Sequence, residues 1–308
     1  MFSWVLPDGC ARAAYRERLL PAGAGGPGAI RVTWLGTAGL MVADGDTSLL
    51  IDPFVSRYGL ATVGLGRPLR PRQDLVDAWV ARLGARNAAA VLVSHSHYDH
   101  AMDAPFFARA SGAVLAGSES TANIGRGAGL DADRLRVVGP GDTLRFGRFE
   151  VTFVESRHGP SPLGGVLFPG TIERPLTPPA PASAYRLGTT FSLVIRHPAG
   201  TLVHHGSAGS LDGMYDGVRA DVVFLGLAGR RDTGAYVASV VDAVGARRVI
   251  PLHFDDFFAG LDRPLGFLAG VGFSEFVRTV RGTHPRLEVA TLPVGEPVVV
   301  LGGDVPPG

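Results

Sequence analysis

Within Ala90 to Ala101, AVLVSHSHYDHA, three imidazoles and a carboxylate fall within six residues: His95, His97, Asp99 and His100. Imidazole nitrogen and carboxylate oxygen are ligands for zinc and similar borderline ions, and a catalytic site leaves one position open for water. The apolar residues before the run read as a buried strand, so the cluster sits where a strand gives way to a turn. In an extended backbone residues i and i+2 face the same way, and His95 and His97 can therefore grip one ion together. Asp99 and His100, just ahead of a helix expected to begin near Ala101, point elsewhere and suit a second ion. The N-terminus of that helix adds positive potential favouring a bound carboxylate or hydroxide. The competing reading is a solvated His-rich loop.

The elements that must position this cluster come from a chain of 308 residues, 46 % apolar, enough for a sheet-built domain with an ample core. All 29 basic residues are arginine. The absence of lysine excludes a Schiff-base enzyme, a lysine general base and a Walker-type phosphate loop. A net charge of +1, with no basic run interleaved with aromatics, disfavours nucleic acid and leaves a small-molecule substrate as the expected partner. The single cysteine, Cys10, excludes an intrachain disulfide and a thiolate-rich zinc site. Met1 to Gly9 lacks a signal-peptide pattern, and no run approaches the roughly 18 apolar residues of a membrane span. The expectation is a cytoplasmic protein, its oligomeric state not set by any feature of the sequence.

A breaker cluster at 21–28, PAGAGGPG, separates an N-terminal arm, 1–29, from a single domain over 30–302. Strands are expected at 30–35, 40–43, 47–52, 89–94, 113–116 and 149–155, and again at 190–196, 201–205, 222–225 and 248–252. Helices are expected at 74–83, 101–110, 236–244 and 274–280. Seven prolines between Gly159 and Pro181, without periodicity, make 159–185 too long for an ordinary connection and mark it as part of a substrate wall. Two halves of strands followed by strand–helix alternation give an α/β protein with two sheets face to face and helices outside.

His95-x-His97-x-Asp99-His100, then His158, then His253 in Ile250-Pro-Leu-His-Phe254, resembles the metallo-β-lactamase fold superfamily over roughly Ile30 to Leu301. Trp34-Leu-Gly-Thr-Ala-Gly39 and Leu50-Ile-Asp-Pro53 are similar to the opening strands of its lactonase and N-acyl phospholipid phosphodiesterase branch, where a histidine often stands at the place of Thr37. The resemblance implies a four-layer αββα sandwich of two mixed β-sheets with outer helices. It also implies one ion on His95, His97 and His158 and another on Asp99, His100 and His253. One or two Zn2+ are expected, with Mn2+ or Fe2+ as alternatives. The family commonly bridges two ions with an aspartate where this chain has Ser207, in His204-His-Gly-Ser-Ala-Gly209. A neutral hydroxyl cannot supply that charge, so the second site should be weaker or bridged by hydroxide alone. His204 and His205 are substitute ligands or, alternatively, supporting or core residues.

The chemistry implied is hydrolysis of an ester, lactone, amide or phosphodiester. Zinc lowers the pKa of a bound water from far above neutrality to about 7. Asp99 would orient that nucleophile or accept its proton, the catalytic role in the set. Asp52 is either an acceptor for a ligand imidazole N–H or an Asx turn before Pro53. Arg57, Arg67, Arg70 and Arg72, in a stretch without an acid, read as a substrate-anion site or as a solvated face. Tyr98 lines the pocket or packs. Asp255 and Asp256 orient His253 or cap a loop. His197 and His284, each before a proline, are expected on the surface. The alternatives to a hydrolase are a mononuclear iron oxidoreductase on the same fold and a non-catalytic metal- or ligand-binding member, the latter motivated by Ser207.

Overall fold

The computed structural model describes residues 10–23, 25–161 and 164–302. The first sheet contains β1 (Ile30–Trp34), β2 (Leu40–Ala43), β3 (Ser48–Ile51), β4 (Ala90–Leu92), β5 (Val114–Gly117) and β6 (Leu135–Val137). The second contains β7 (Thr143–Phe146), β8 (Phe149–Glu155), β9 (Phe191–His197), β10 (Gly200–His205), β11 (Val222–Gly226), β12 (Arg248–Leu252) and β13 (Glu288–Val289), and β14 (Pro297–Leu301) returns to the first. The strand orders are β14-β1-β2-β3-β4-β5-β6 and β13-β12-β11-β10-β9-β8-β7. Each sheet is mixed: antiparallel hairpins lead into a parallel half, β3 to β6 in one and β10 to β13 in the other.

The pleat decides which residues meet. Leu49, Ile51, Ala90 and Leu92 face inward and join Phe149, Val151, Phe153, Leu193 and Ile195 of the other sheet in one core. Their sequence neighbours Leu50, Val91 and Val93 face outward, into a second core. There they meet α3 (Gln73–Leu83) and α5 (Ala104–Ser111), which present Val76, Trp79, Val80, Phe107 and Ala108 at helical spacing. On the far side α7 (Thr233–Val237), its π-helical continuation 238–242 and α8 (Phe273–Thr283) cover the second sheet. The result is the four-layer αββα sandwich.

Several elements departed from the sequence expectation. β6 and β7 alternate apolar and polar residues but over only three and four positions, too few to stand out, and α6 (Glu119–Gly127), with sequence ESTANIGRG, is poor in helix formers. Tertiary contact holds α6: the Ser118 hydroxyl caps it, and Gly125 lets Leu135 approach to 2.7 Å from where a Cβ would stand. The described part of the N-terminal arm packs on the body of the protein. α1 (Ala11–Arg16) buries Ala11 and Tyr15, the Tyr15 hydroxyl donates to the Leu292 carbonyl at 2.7 Å, and Thr291 Oγ1 donates to the Tyr15 carbonyl. The expectation of no signal peptide in Met1 to Gly9 lies outside the described residues. Among those described, no helix is long and apolar enough to cross a membrane.

Candidate metal centre

The C-terminal ends of β3, β4, β8, β10 and β12 lie along one rim of the sandwich and deliver Asp52, His95, His158, Ser207 and His253 respectively. After β4 the chain runs extended to His97, whose carbonyl accepts from the His100 and Ala101 N–H groups and starts α4 (Tyr98–Ala101). Asp99 and His100 therefore lie inside the first helical turn rather than ahead of it, because His97 itself takes the capping position. The six side chains form two adjoining groups, His95 with His97 and His158, and Asp99 with His100 and His253. Within each group the ligand atoms lie within 4.8 Å of one another. The rings of His95 and His100, one from each group, are centred 3.9 Å apart.

Hydrogen bonds fix which nitrogens are free. His158 Nδ1 donates to the Gly159 carbonyl at 2.6 Å, and His100 Nδ1 donates to Asp52 Oδ2 at 2.9 Å. Each ring therefore keeps the lone pair of its other nitrogen, Nε2. Nε2 of His95 and His97 and Nδ1 of His253 are buried without a hydrogen-bond partner among the described residues. Leaving a polar atom so costs about 1–3 kcal/mol, a cost that a cation at the convergence would remove.

The electrostatics agree. Burial, reinforced by the surrounding imidazoles, holds His95 well below the ordinary histidine value and lowers His158 to about 3. Burial also lowers His97, opposed by Asp99 and by hydrogen bonding to the Leu167 and Phe168 backbone. These rings are neutral, the form that binds metal. For Asp99 burial alone would raise the pKa, but His100 and the contact from His253 Nε2, 3.2 Å away, outweigh it and hold the carboxyl ionised. Burial would lower His100, but Asp52 and Asp99 raise it.

Backbone strain marks the same place. The non-glycine residues with positive φ are Thr37 (50°), Asp52 (43°), Phe168 (46°) and His253 (54°), among those described. Each such conformation costs on the order of 1 kcal/mol, and such residues cluster at functional sites. The Thr37 carbonyl accepts from His253 N–H, and Phe168 stands edge-on to His97 at 6.3 Å. The 159–185 loop thus touches the centre through Leu167 and Phe168. Phe257 walls the other side, 5.1 Å from His253.

Asp52 is fully buried and takes the first of its two alternatives. Besides His100 it accepts from Ser94 N at 2.7 Å and Ser94 Oγ at 2.5 Å, so it orients the His100 ring. Sequence reasoning missed Ser94, and also Gly206, where a Cβ would stand 2.9 Å from His204 Cε1 and 3.2 Å from Asp52 Oδ2. It missed Asp103 too, whose Oδ2 accepts from Val55 N and Ser56 N at 2.7 Å each. Only the fold brings these groups to the rim.

Other expectations resolve differently. Ser207 Oγ accepts from Gly159 N at 3.2 Å and so supports the loop of His158. His204 donates from Nε2 to the Ala38 carbonyl at 2.8 Å, while His205 Nδ1 pairs with the Tyr215 hydroxyl at 2.9 Å in a buried network with Ser192. Neither belongs to a ligand group. Arg57 is not a free anion ligand: it is buried, 2.8 Å from Asp255, and bonds Thr37 Oγ1 and the Asp256 and Ala259 carbonyls. Asp255 in turn accepts from Thr37 N, and so acts on His253 only through the Thr37 backbone. Tyr98 packs its ring edge-on to Phe54 at 5.8 Å. His197 is no surface residue, because its ring is enclosed against Asp44 at 3.1 Å beside Arg148.

With this geometry in view, comparison with known proteins defines the class. Residues 31–253 match the family described as "Beta-lactamase superfamily domain", and the chain belongs to that family. Its fold is that of the metallo-β-lactamase superfamily, and curated relatives of the chain are named metal-dependent hydrolases. A "UPF0173 metal-dependent hydrolase" of Pyrobaculum arsenaticum is 26 % identical over 237 residues, 74 % of this chain and 85 % of that protein. Two solved structures share the fold. Igni18, described as a metallo hydrolase of Ignicoccus hospitalis, superposes with a TM-score of 0.55 at 13 % identity, covering 88 % of this chain and 98 % of its own. The metallo-beta-lactamase fold protein YhfI of Bacillus subtilis gives 0.53 at 16 % identity, covering 89 % and 100 %.

Proposed function

We propose that the protein hydrolyses an ester, lactone, amide or phosphodiester bond of a small molecule with zinc as its resident metal. The observation that carries this reading is the convergence of His95, His97, His158, Asp99, His100 and His253, with unpartnered imidazole nitrogens on three of them. Five neutral or neutralisable imidazoles and one carboxylate are a borderline-ion donor set, with no thiolate and too few oxygens for calcium or magnesium. When bound, zinc supplies a Lewis acid and a water ionised near neutral pH.

The chain's own residues do the rest. Asp99, ionised and buried, would orient the attacking nucleophile through its carboxylate. Asp52 fixes the tautomer of His100, and the Gly159 carbonyl does the same for His158. Phe168 and Phe257 limit water around the reacting bond. Because Ser207 spends its hydroxyl on Gly159, the Asp99 group depends on a single carboxylate and should hold its ion more weakly than a group bridged by a second one.

The test is elemental analysis of full-length protein purified without added metal, joined to a panel of lactone, ester, amide and phosphodiester substrates. The expected result is zinc, together with turnover that chelator removes, and a melting temperature several degrees lower in the stripped protein. Tightly held iron with oxygen consumption would overturn the reading in favour of an oxidoreductase. Metal loss without any effect on turnover would overturn it as well.

A further inference from the structure

Residues 56–72 leave the rim as a closed loop whose neck is fully bonded. Ser56 Oγ accepts from Arg72 N at 2.7 Å, Tyr58 OH donates to the Arg70 carbonyl at 2.6 Å, and Leu69 exchanges backbone bonds with Ala180 of the 159–185 loop. The root is rigid too, since Asp103 holds Val55 N and Ser56 N. The tip carries α2 (Leu60–Gly64), which has no buried residue. Leu60 is 63 % exposed and Leu65 71 %, and Leu167, on the loop bonded to this one, is 49 % exposed. These are three of the five large apolar side chains exposed among the described residues. Val63 of α2 packs against the second core, but Leu60 and Leu65 do not, and polar residues in their place are equally compatible with the backbone.

The charge beside them is one-sided. Residues 53–73 contain no carboxylate. Arg67 and Arg70 are exposed and unpaired among the described residues, while Arg57 and Arg72 have acidic partners. Exposed leucines thus stand on one short loop with unpaired guanidinium groups and no carboxylate to offset them. A deformable surface with negative headgroups satisfies both features: the leucines enter the acyl boundary and the arginines stay with the phosphates. Self-association through this patch would instead oppose like charges. We propose that the 56–72 loop docks the protein on an anionic lipid bilayer. The proposal is independent of the substrate assigned above.

The experiment is co-sedimentation of full-length protein with phosphatidylcholine vesicles, with and without phosphatidylglycerol, at low and high salt. The expected result is binding only to the anionic vesicles, weakened by salt. Arg67→Gln with Arg70→Gln should reduce partitioning roughly 25-fold, at about tenfold per 1.4 kcal/mol. Leu60→Ser with Leu65→Ser should reduce it by at least a similar factor. Both pairs are exposed, so the melting temperature should stay at the wild-type value, and Leu19→Ser, an exposed leucine elsewhere, should bind as wild type does. No binding to anionic vesicles overturns the proposal, as does binding that survives both double substitutions. A dimer abolished by Leu60→Ser with Leu65→Ser also overturns it, assigning the patch to a second copy of the chain.

Discussion

Replacing Asp52 by asparagine isolates the orientation of one ligand ring from the packing around it. Asp52 is buried and meets three donors, Ser94 N, Ser94 Oγ and His100 Nδ1, at 2.5 to 2.9 Å. In Asp52→Asn the remaining carbonyl oxygen stays with Ser94 N–H, so the amide nitrogen faces Ser94 Oγ and His100 Nδ1. That nitrogen can only donate, and it satisfies His100 only if Nδ1 is bare and the ring proton has moved to Nε2. Nε2 is the atom 3.7 Å from Asp99, in the Asp99 group. A protonated Nε2 cannot serve as a ligand, so affinity for the ion of this group should fall about 10- to 100-fold. Loss of a charge-assisted bond should remove about 1.5–3 kcal/mol of stability, a melting shift of roughly 5 °C. Asp52→Ala, which strands three buried donors, should lose about 3–5 kcal/mol. The assay is titration of stripped protein with Co2+, followed by visible absorption, beside thermal melts. Asp52→Asn protein that fills the Asp99 group as tightly as wild type would refute the reasoning.

Two further expectations follow from buried groups near the rim. Asp103 is pushed up to about 6 by burial, against the hydrogen bonds and the Arg57 charge that lower it. An acid whose folded-state pKa exceeds its unfolded one keeps a proton in the fold that the open chain has released. It therefore weakens the fold as pH rises from about 4 through about 6. Asp103→Asn keeps an oxygen for Val55 N and Ser56 N, so it should be more stable than wild type at pH 8 by about 1–3 kcal/mol, with the gap closing near pH 4 in urea melts. A gap that grows toward low pH would contradict this. Gly206→Ala would place a methyl 2.9 Å from His204 and 3.2 Å from Asp52, both fully buried, and should cost about 1–3 kcal/mol while disturbing Co2+ absorption.

The sequence by itself determined the candidate ligand types, the paired spacing of His95 and His97, and most strands. Those depend on local rules: side chains alternate along a strand, and apolar runs must be buried. It also determined the α/β class, because strand–helix alternation leaves few ways to cover two apolar sheets. Only the tertiary structure decided what surrounds the ligands. Asp52 read equally as a turn residue until β3 and β4 paired and set it under His100. Arg57 read as a free cation until the chain brought Asp255 to it. His205 differs from the ligand histidines in no local feature, yet β10 turns it into the core beside Tyr215. The strained backbones at Thr37, Asp52, Phe168 and His253 left no mark in residue type either. Roles of this kind depend on contacts across tens to hundreds of residues, and pairwise partners at such separation are fixed by strand order and register, which no local pattern encodes.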